Sequence, residues 1–253
     1  MSPYDFQTRQ ECRKKMIHSI HQPCYLPWLG LLSKIADSDT LIILDQVQLS
    51  DSAYQHRNQF LTNDGKIKYL TIPFVKHNYQ RIAFRDIQIA DPLWGVSHKN
   101  FLVNNYKKHP YFDQVFPELE SLFSGKFKYL AEAIITSMTI CMDLLAIDTG
   151  TILQSQLPYD HELKKDQLVL NLLKASGARH YLSGSGARAY QDDDIFAASG
   201  IQLEYARFTH PVYLQKNSAE FIPGLSCLDM LFNIGIENSR EVMKSLHNTV
   251  MAQ

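Results

Sequence analysis

The side chains able to do chemistry gather in a few short segments. The densest is His21-Gln22-Pro23-Cys24-Tyr25-Leu26-Pro27-Trp28-Leu29-Gly30, where two prolines stiffen a stretch carrying an imidazole, an amide, a thiol, a phenol and an indole. His21 is the first candidate for a general acid/base, because its ordinary pKa lies nearest neutrality. Cys24 is a candidate nucleophile, which would allow a thioester-linked acyl intermediate. Three residues of extended loop span about 10 Å, so its base would come from elsewhere in the fold. The bland alternative is that Trp28 and Leu29 only staple the loop onto the helix that follows.

Further along, Asp45 closes the apolar run Thr40 to Leu44, and Gln46, Gln48 and Ser50 alternate with Val47 and Leu49 behind it. An acid at a strand end holds a hydroxyl, a ribose or a metal, or else caps a turn. Arg57 and Asn58 offer a planar fork and an amide for a phosphate or carboxylate, with a surface salt bridge as the competitor. Ser183-Gly184-Ser185-Gly186-Ala187-Arg188 follows a strand-like run, so its backbone N–H groups could approach an anion; a plain tight turn is the alternative. It lacks the Lys of a Walker A loop and the third glycine of the dinucleotide fingerprint. His210-Pro211-Val212-Tyr213-Leu214-Gln215 repeats the vocabulary of the first segment, whereas His161 reads as a solvated residue in a first helical turn. No His pair has H-x-x-x-H or H-E-x-x-H spacing and the four cysteines form no C-x-x-C, so no metal site is expected.

The elements that must position these groups alternate. Ile17–His21 and Thr40–Leu44 read as strands around a loop and the short amphipathic piece LLSKIADS, the order of a βαβ unit. Lys68–Phe74 and Arg85–Ala90 show strand-like alternation and are expected to extend the sheet. Residues 94–105 and 127–146 have helical spacing, the second a core helix with Leu130, Ile134, Met138, Cys141 and Leu145 on one stripe. Asp160 is the expected N-cap of a helix over 161–176 ending at Gly177, followed by strand 180–183, a short helix near 193–199 and strand 201–208. This predicts an α/β fold: a mostly parallel, Rossmann-like sheet with flanking helices, in one domain over 17–240. A helical subdomain is expected at about 95–145, a flexible extension over 1–16 and a tail over 241–253. If the strands run parallel, the loops after His21 and before Gln215 lie on one edge of the sheet, where such folds bind ligands.

With 253 residues, 45% hydrophobic and 20% charged, the chain can bury a core without disulfides. A net charge of -1, with no basic run longer than Arg13-Lys14-Lys15, argues against a nucleic-acid partner. No window approaches the roughly 20 apolar residues of a membrane span, and the dispersed cysteines suit a reducing cytoplasm. The 10 His, 13 Tyr and 13 Phe fit a polar-rimmed pocket for a small molecule.

Taken together, HQPCYLPWLG, LDQVQLSDSAYQHRNQF, YLSGSGARAYQ, HPVYLQ and FIPGLSCLDMLFNIG resemble the WbqC-like protein family, over nearly everything from Ile17 to Gly235. That family is associated with bacterial O-antigen and other surface-polysaccharide clusters and with small-molecule clusters. The positions matching its pattern are His21, Gln22, Pro23, Tyr25, Leu26, Pro27 and Trp28, then Asp45, Arg57 and Asn58. Later in the chain they are Tyr181, Ser183, Gly184, Tyr190, Pro211, Tyr213, Gln215, Ser226, Asp229, Leu231 and Asn233. Position 24 is commonly a small polar residue in the family, which leaves His21 the stronger catalytic candidate. The opening strand, loop and helix also look like the nucleotidyltransferase and pantothenate-synthetase group, but Trp28 to Gly30 stand where its second His belongs, so that likeness is one of architecture.

The expected function is transfer of an acyl or aminoacyl group, from an acyl-carrier or CoA thioester, onto an amino sugar or similar small amine in polysaccharide (lipopolysaccharide) or secondary-metabolite biosynthesis. His21, Cys24 and Asp45 are the catalytic candidates. Gln22, Tyr25, Trp28, Arg57, Asn58, Ser183, Gly184, Ser185, Tyr190, His210, Tyr213 and Gln215 are the substrate-binding ones. Nucleotidyl or adenylyl transfer and a non-catalytic binding role are the alternatives.

Overall fold

The computed structural model describes residues 16–49 and 54–251, so the expected N-terminal extension, apart from Met16, and Ser50 lie outside the described residues. In chain order the elements are β1 (Ile17–His21), α1 (Leu29–Ala36), β2 (Thr40–Ile43), β3 (Arg57–Leu61), β4 (Ile67–Thr71), α2 (Trp94–Tyr106), α3 (Phe112–Val115) and α4 (Glu120–Ser124). They continue with α5 (Leu130–Leu144), β5 (Gly150–Leu153), α6 (Lys165–Ala175), β6 (His180–Ser183), α7 (Asp193–Ala198), β7 (Gln202–Tyr205) and α8 (Cys227–Met251).

Five of the strands form one parallel sheet in the order β5-β2-β1-β6-β7. This is the expected α/β architecture. Side chains alternate across the sheet with period two, so Leu41 and Ile43 enter a core with α1, α5 and α8, while Ile20 and Ile42 enter a second one with α6 and α7. Burying a leucine as fully as Leu41 stabilises by about 1.5–3 kcal/mol, which is why β2, TLII, is an almost continuous apolar run. The chain steps outward from β1 to β2 and β5, then returns to the other flank of β1 with β6 and β7. The strand order therefore reverses between β1 and β6, and the crevice beyond their carboxyl ends is where open α/β sheets bind ligands.

Three local expectations are corrected. Residues 68–74 and 85–90 do not extend the sheet. β4 pairs antiparallel with β3 in a separate hairpin, with Arg57 opposite Thr71 and Leu61 opposite Ile67. The turn that closes it, Asn63-Asp64-Gly65, places Gly65 at φ 78, a conformation that suits glycine. Residues 84–86 form a 3-10 turn, beyond which Gln88 and Ile89 make only isolated bridges to Tyr129 and Phe74. The helix expected from 161 begins at Lys165, because the Asp160 carboxylate accepts the Glu162 N–H at 2.9 Å and closes a local turn instead. The stretch read as a tail from 241 is helical through Met251, with Met243 buried against the core and a kink in α8 at Gly235, φ 82.

Candidate functional site

The loop after β1 is held by the core rather than by itself. The Tyr25 N–H donates to Gln55 O at 2.7 Å, the Leu26 N–H to Ser137 Oγ at 3.0 Å, and Asn58 Nδ2 to Leu26 O at 2.6 Å and Tyr25 O at 3.3 Å. These bonds hold Leu26 at φ 40, which a leucine adopts only under such constraint. Tyr25 is buried, with its hydroxyl 2.8 Å from His98 Nδ1. Trp28 is 39% exposed and lies across Gly30, where an added Cβ would fall 2.2 Å from the indole.

His21 stands at the mouth of the crevice. Its Nδ1 lies 2.7 Å from the Gln22 carbonyl, which can only accept, so the proton sits on Nδ1 and Nε2 carries the lone pair. Among the described residues Nε2 has no hydrogen-bond partner. Burial, reinforced by the Lys34 ammonium, holds the imidazole down at about 3, so it is neutral throughout the physiological range. Gln22 is engaged on both sides, donating to Gln48 O at 3.0 Å and accepting from Gln55 Nε2.

On the opposite wall Ser183 donates to Gln191 Oε1 at 2.8 Å, and the chain then enters a 3-10 turn over Ser185–Ala189. A Cβ placed on Gly184 or Gly186 would meet nothing within 4 Å, so this backbone borders open space. Ser185 is exposed, and Tyr190 is 77% exposed. The loop after β7 arrives on the same edge and touches the first loop through Phe208, whose ring meets Trp28 edge-on at 5.3 Å. His210 packs behind it against Phe208 and Phe221, its Nδ1 on Pro211 O at 3.0 Å and its Nε2 buried without a partner among the described residues.

Several expected roles change once the partners are known. Burial pushes the Cys24 thiol up to about 12, and Cys24 Sγ lies 3.6 Å from Tyr54 O, so it is a packed thiol and not a thiolate nucleophile. Asp45 is buried and accepts the N–H and hydroxyl of Ser155 at 2.9 and 2.7 Å, with Arg85 at 3.6 Å, which ties β2 to the segment after β5. Asn58 is committed to the loop it clamps. Arg57 lies over Tyr69 at 4.8 Å and Tyr54 at 5.7 Å on the hairpin instead of reaching the crevice. Tyr213 and Gln215 both donate to Asp229 Oδ2, at 3.0 and 3.2 Å, while Tyr106 donates to Oδ1 at 3.0 Å. These bonds tie the second loop to the start of α8.

The sequence model of the WbqC-like protein family matches residues 22–241. The chain belongs to that family. Among curated proteins it is similar to the "Uncharacterized protein Rv1507c" of Mycobacterium tuberculosis, at 26% identity over 220 residues, 87% of this chain and 94% of the relative. No solved structure matches. Within this WbqC-like chain the quoted motifs fall into two groups. HQPCYLPWLG and YLSGSG flank the crevice, whereas HPVYLQ and the start of α8 build the Asp229 network beside it. The backbone joins the groups: Trp28 bridges Ser226, and the Cys227 N–H donates to Pro27 O at 2.9 Å. Two further residues stand close to the first loop: Phe208, against Trp28, and Lys34, buried with its ammonium on Ile20 O just before His21. Lys34 carried one signal, a lysine set between Ser33 and Ile35 on a short, mostly apolar helix. Among the described residues, no helix is long and apolar enough to cross a membrane.

Proposed function

We propose that this protein transfers an acyl or aminoacyl group from a carrier-bound or CoA thioester onto the amine of an amino sugar or similar small amine, in the assembly of a surface polysaccharide or secondary metabolite. The supporting observation is His21: a neutral imidazole, fixed with its lone pair on Nε2, at the strand-order reversal of a parallel sheet. In the proposed step the amine attacks the thioester carbonyl, forming C–N and breaking C–S. Nε2 takes the amine proton and returns it to the leaving thiolate. Ser185 and the backbone of residues 184–186 orient the donor, while Trp28 and Phe208 shield it from water. Transfer is direct, since the protonated Cys24 forms no acyl intermediate.

The test is thiol release from acyl-CoA or acyl-carrier thioesters in the presence of amino sugars. His21→Ala should lower turnover by about 10²–10⁴-fold, and Cys24→Ala should leave it within a few-fold. Equal turnover by His21→Ala refutes the assignment of the base. The strand order, shared with mononucleotide-binding sheets, favours nucleotidyl transfer as the second reading. It requires ATP or CTP to bind with Mg²⁺, and calorimetry with no nucleotide heat eliminates it.

A further inference from the structure

The ladder between β1 and β6 stops early. Its register runs from Ile17 opposite His180 to Ser19 opposite Leu182, and the Ile20 carbonyl, next in line to face β6, receives Lys34 Nζ at 3.0 Å instead. Lys34 reaches this point from α1. It is 4% exposed and surrounded by the apolar residues of that helix, Leu31, Leu32 and Ile35. Among the described residues it has no carboxylate partner, and Ile20 O engages one of its three N–H donors. The titratable group closest to it in effect is His21, which is neutral. A cation buried this deeply without a counter-charge is unusual, because desolvation disfavours it unless an anion is close.

We infer that the crevice where β1 and β6 part binds a compact oxyanion of the substrate, a phosphate or carboxylate group, with the Lys34 ammonium as its counter-ion. The far wall fits this: Gly184 and Gly186 present backbone to open space, and Ser185 offers an exposed hydroxyl. The inference deepens the proposed function and rests on the crevice being the substrate site, not on which group is transferred. It also couples recognition to chemistry. Burial is the larger cause of the weak basicity of His21 and the Lys34 ammonium the smaller, and an anion seated on Lys34 offsets the second, which raises the basicity of His21 when substrate is bound.

The experiment measures melting temperature of the whole chain at pH 7 in sodium phosphate, sodium acetate and sodium chloride at matched ionic strength, with titration calorimetry of inorganic phosphate and acetate. Phosphate, acetate or both should raise the melting temperature above chloride; phosphate alone marks a phosphorylated substrate and acetate alone a carboxylate. Lys34→Met should lose the effect and weaken binding at least tenfold. Lys34→Gln, which keeps a donor for Ile20 O, should lose it too, guarding against a folding defect in the first variant. The inference falls if neither anion differs from chloride, or if either variant keeps the full response. Anion binding by a chain that is inactive with every thioester would leave this site standing while refuting acyl transfer. Thioester turnover dependent on His21, with no anion response, would do the reverse.

Discussion

Asp229 and Lys34 are both buried charges beside the same loop, and their surroundings are opposite. Asp229 is met by two tyrosine hydroxyls and an amide from the chain itself, and Tyr106 also accepts the Leu61 N–H at 2.9 Å, which extends the network to β3. Lys34 has one carbonyl and no negative partner among the described residues. Burial pushes the Asp229 carboxyl up while its three donors pull it back; burial alone acts on Lys34 and lowers it to about 8. A charge satisfied from within the chain locks elements together. One left without a counter-charge at the carboxyl edge of a parallel sheet is what the inferred oxyanion site requires.

The largest expected effect lies on the satisfied side. Asp229→Ala strands the hydroxyls of Tyr106 and Tyr213 and the Gln215 amide, and should destabilise by about 3 kcal/mol or more in urea unfolding. Loss of under about 1 kcal/mol would mean that the network is not the lock described above.

On the other side the sign reverses. The folded-state pKa of Lys34 is about 8 against an ordinary 10.5, so between those values the unfolded chain binds a proton that the folded chain has released. The parent's stability therefore gains from this residue as pH rises through that window, and carries the full penalty below it. Lys34→Met removes the penalty and should be more stable than the parent at pH 7, by up to about 3 kcal/mol. That advantage should shrink from pH 8 to pH 10.5. Comparing the two proteins across pH cancels Cys24 and the tyrosines, whose raised values act in the opposite direction. A variant less stable than the parent at pH 7 would show that Lys34 serves Ile20 structurally.

The contrast also marks what could be read in advance. β1, β2, β6 and β7 and the shared edge of the loops after β1 and β7 were legible as short runs bounded by turn residues, whereas β5, GTIL, was not, because a four-residue edge strand with two exposed residues leaves little apolar pattern. The two loops have nearly the same residue types, and each histidine bonds the carbonyl of the residue after it, yet Tyr213 and Gln215 are committed to Asp229 while Tyr25 meets His98 and Gln22 meets Gln48 and Gln55, and only three-dimensional partners distinguish them. Arg57 and Asn58 read as a ligand fork because β3, RNQFL, lacks a clean apolar alternation that would mark it as one arm of a hairpin. Lys34 was hidden because lysines on helices normally snorkel to water, and nothing local says that this one points at the end of a strand ladder.

Trp28 is where the two regions meet, its backbone bridged to Ser226 near Asp229 and its ring against Phe208 over the crevice. Gly30→Ala places a methyl group inside the present position of the indole, 2.2 Å from Cη2, and the outer edge of an exposed ring can yield where backbone cannot. The expected cost in stability is therefore small, below about 1 kcal/mol, the scale of a surface change. The indole should swing toward water. Trp94, the other tryptophan, is buried, so a red-shifted, more quenchable emission reports on Trp28 alone. If the emission stays put while stability falls by several kcal/mol, α1 has shifted instead of the ring. The cover over the crevice would then be as rigid as the Asp229 network, and substrate would have to enter past Gly184 and Ser185.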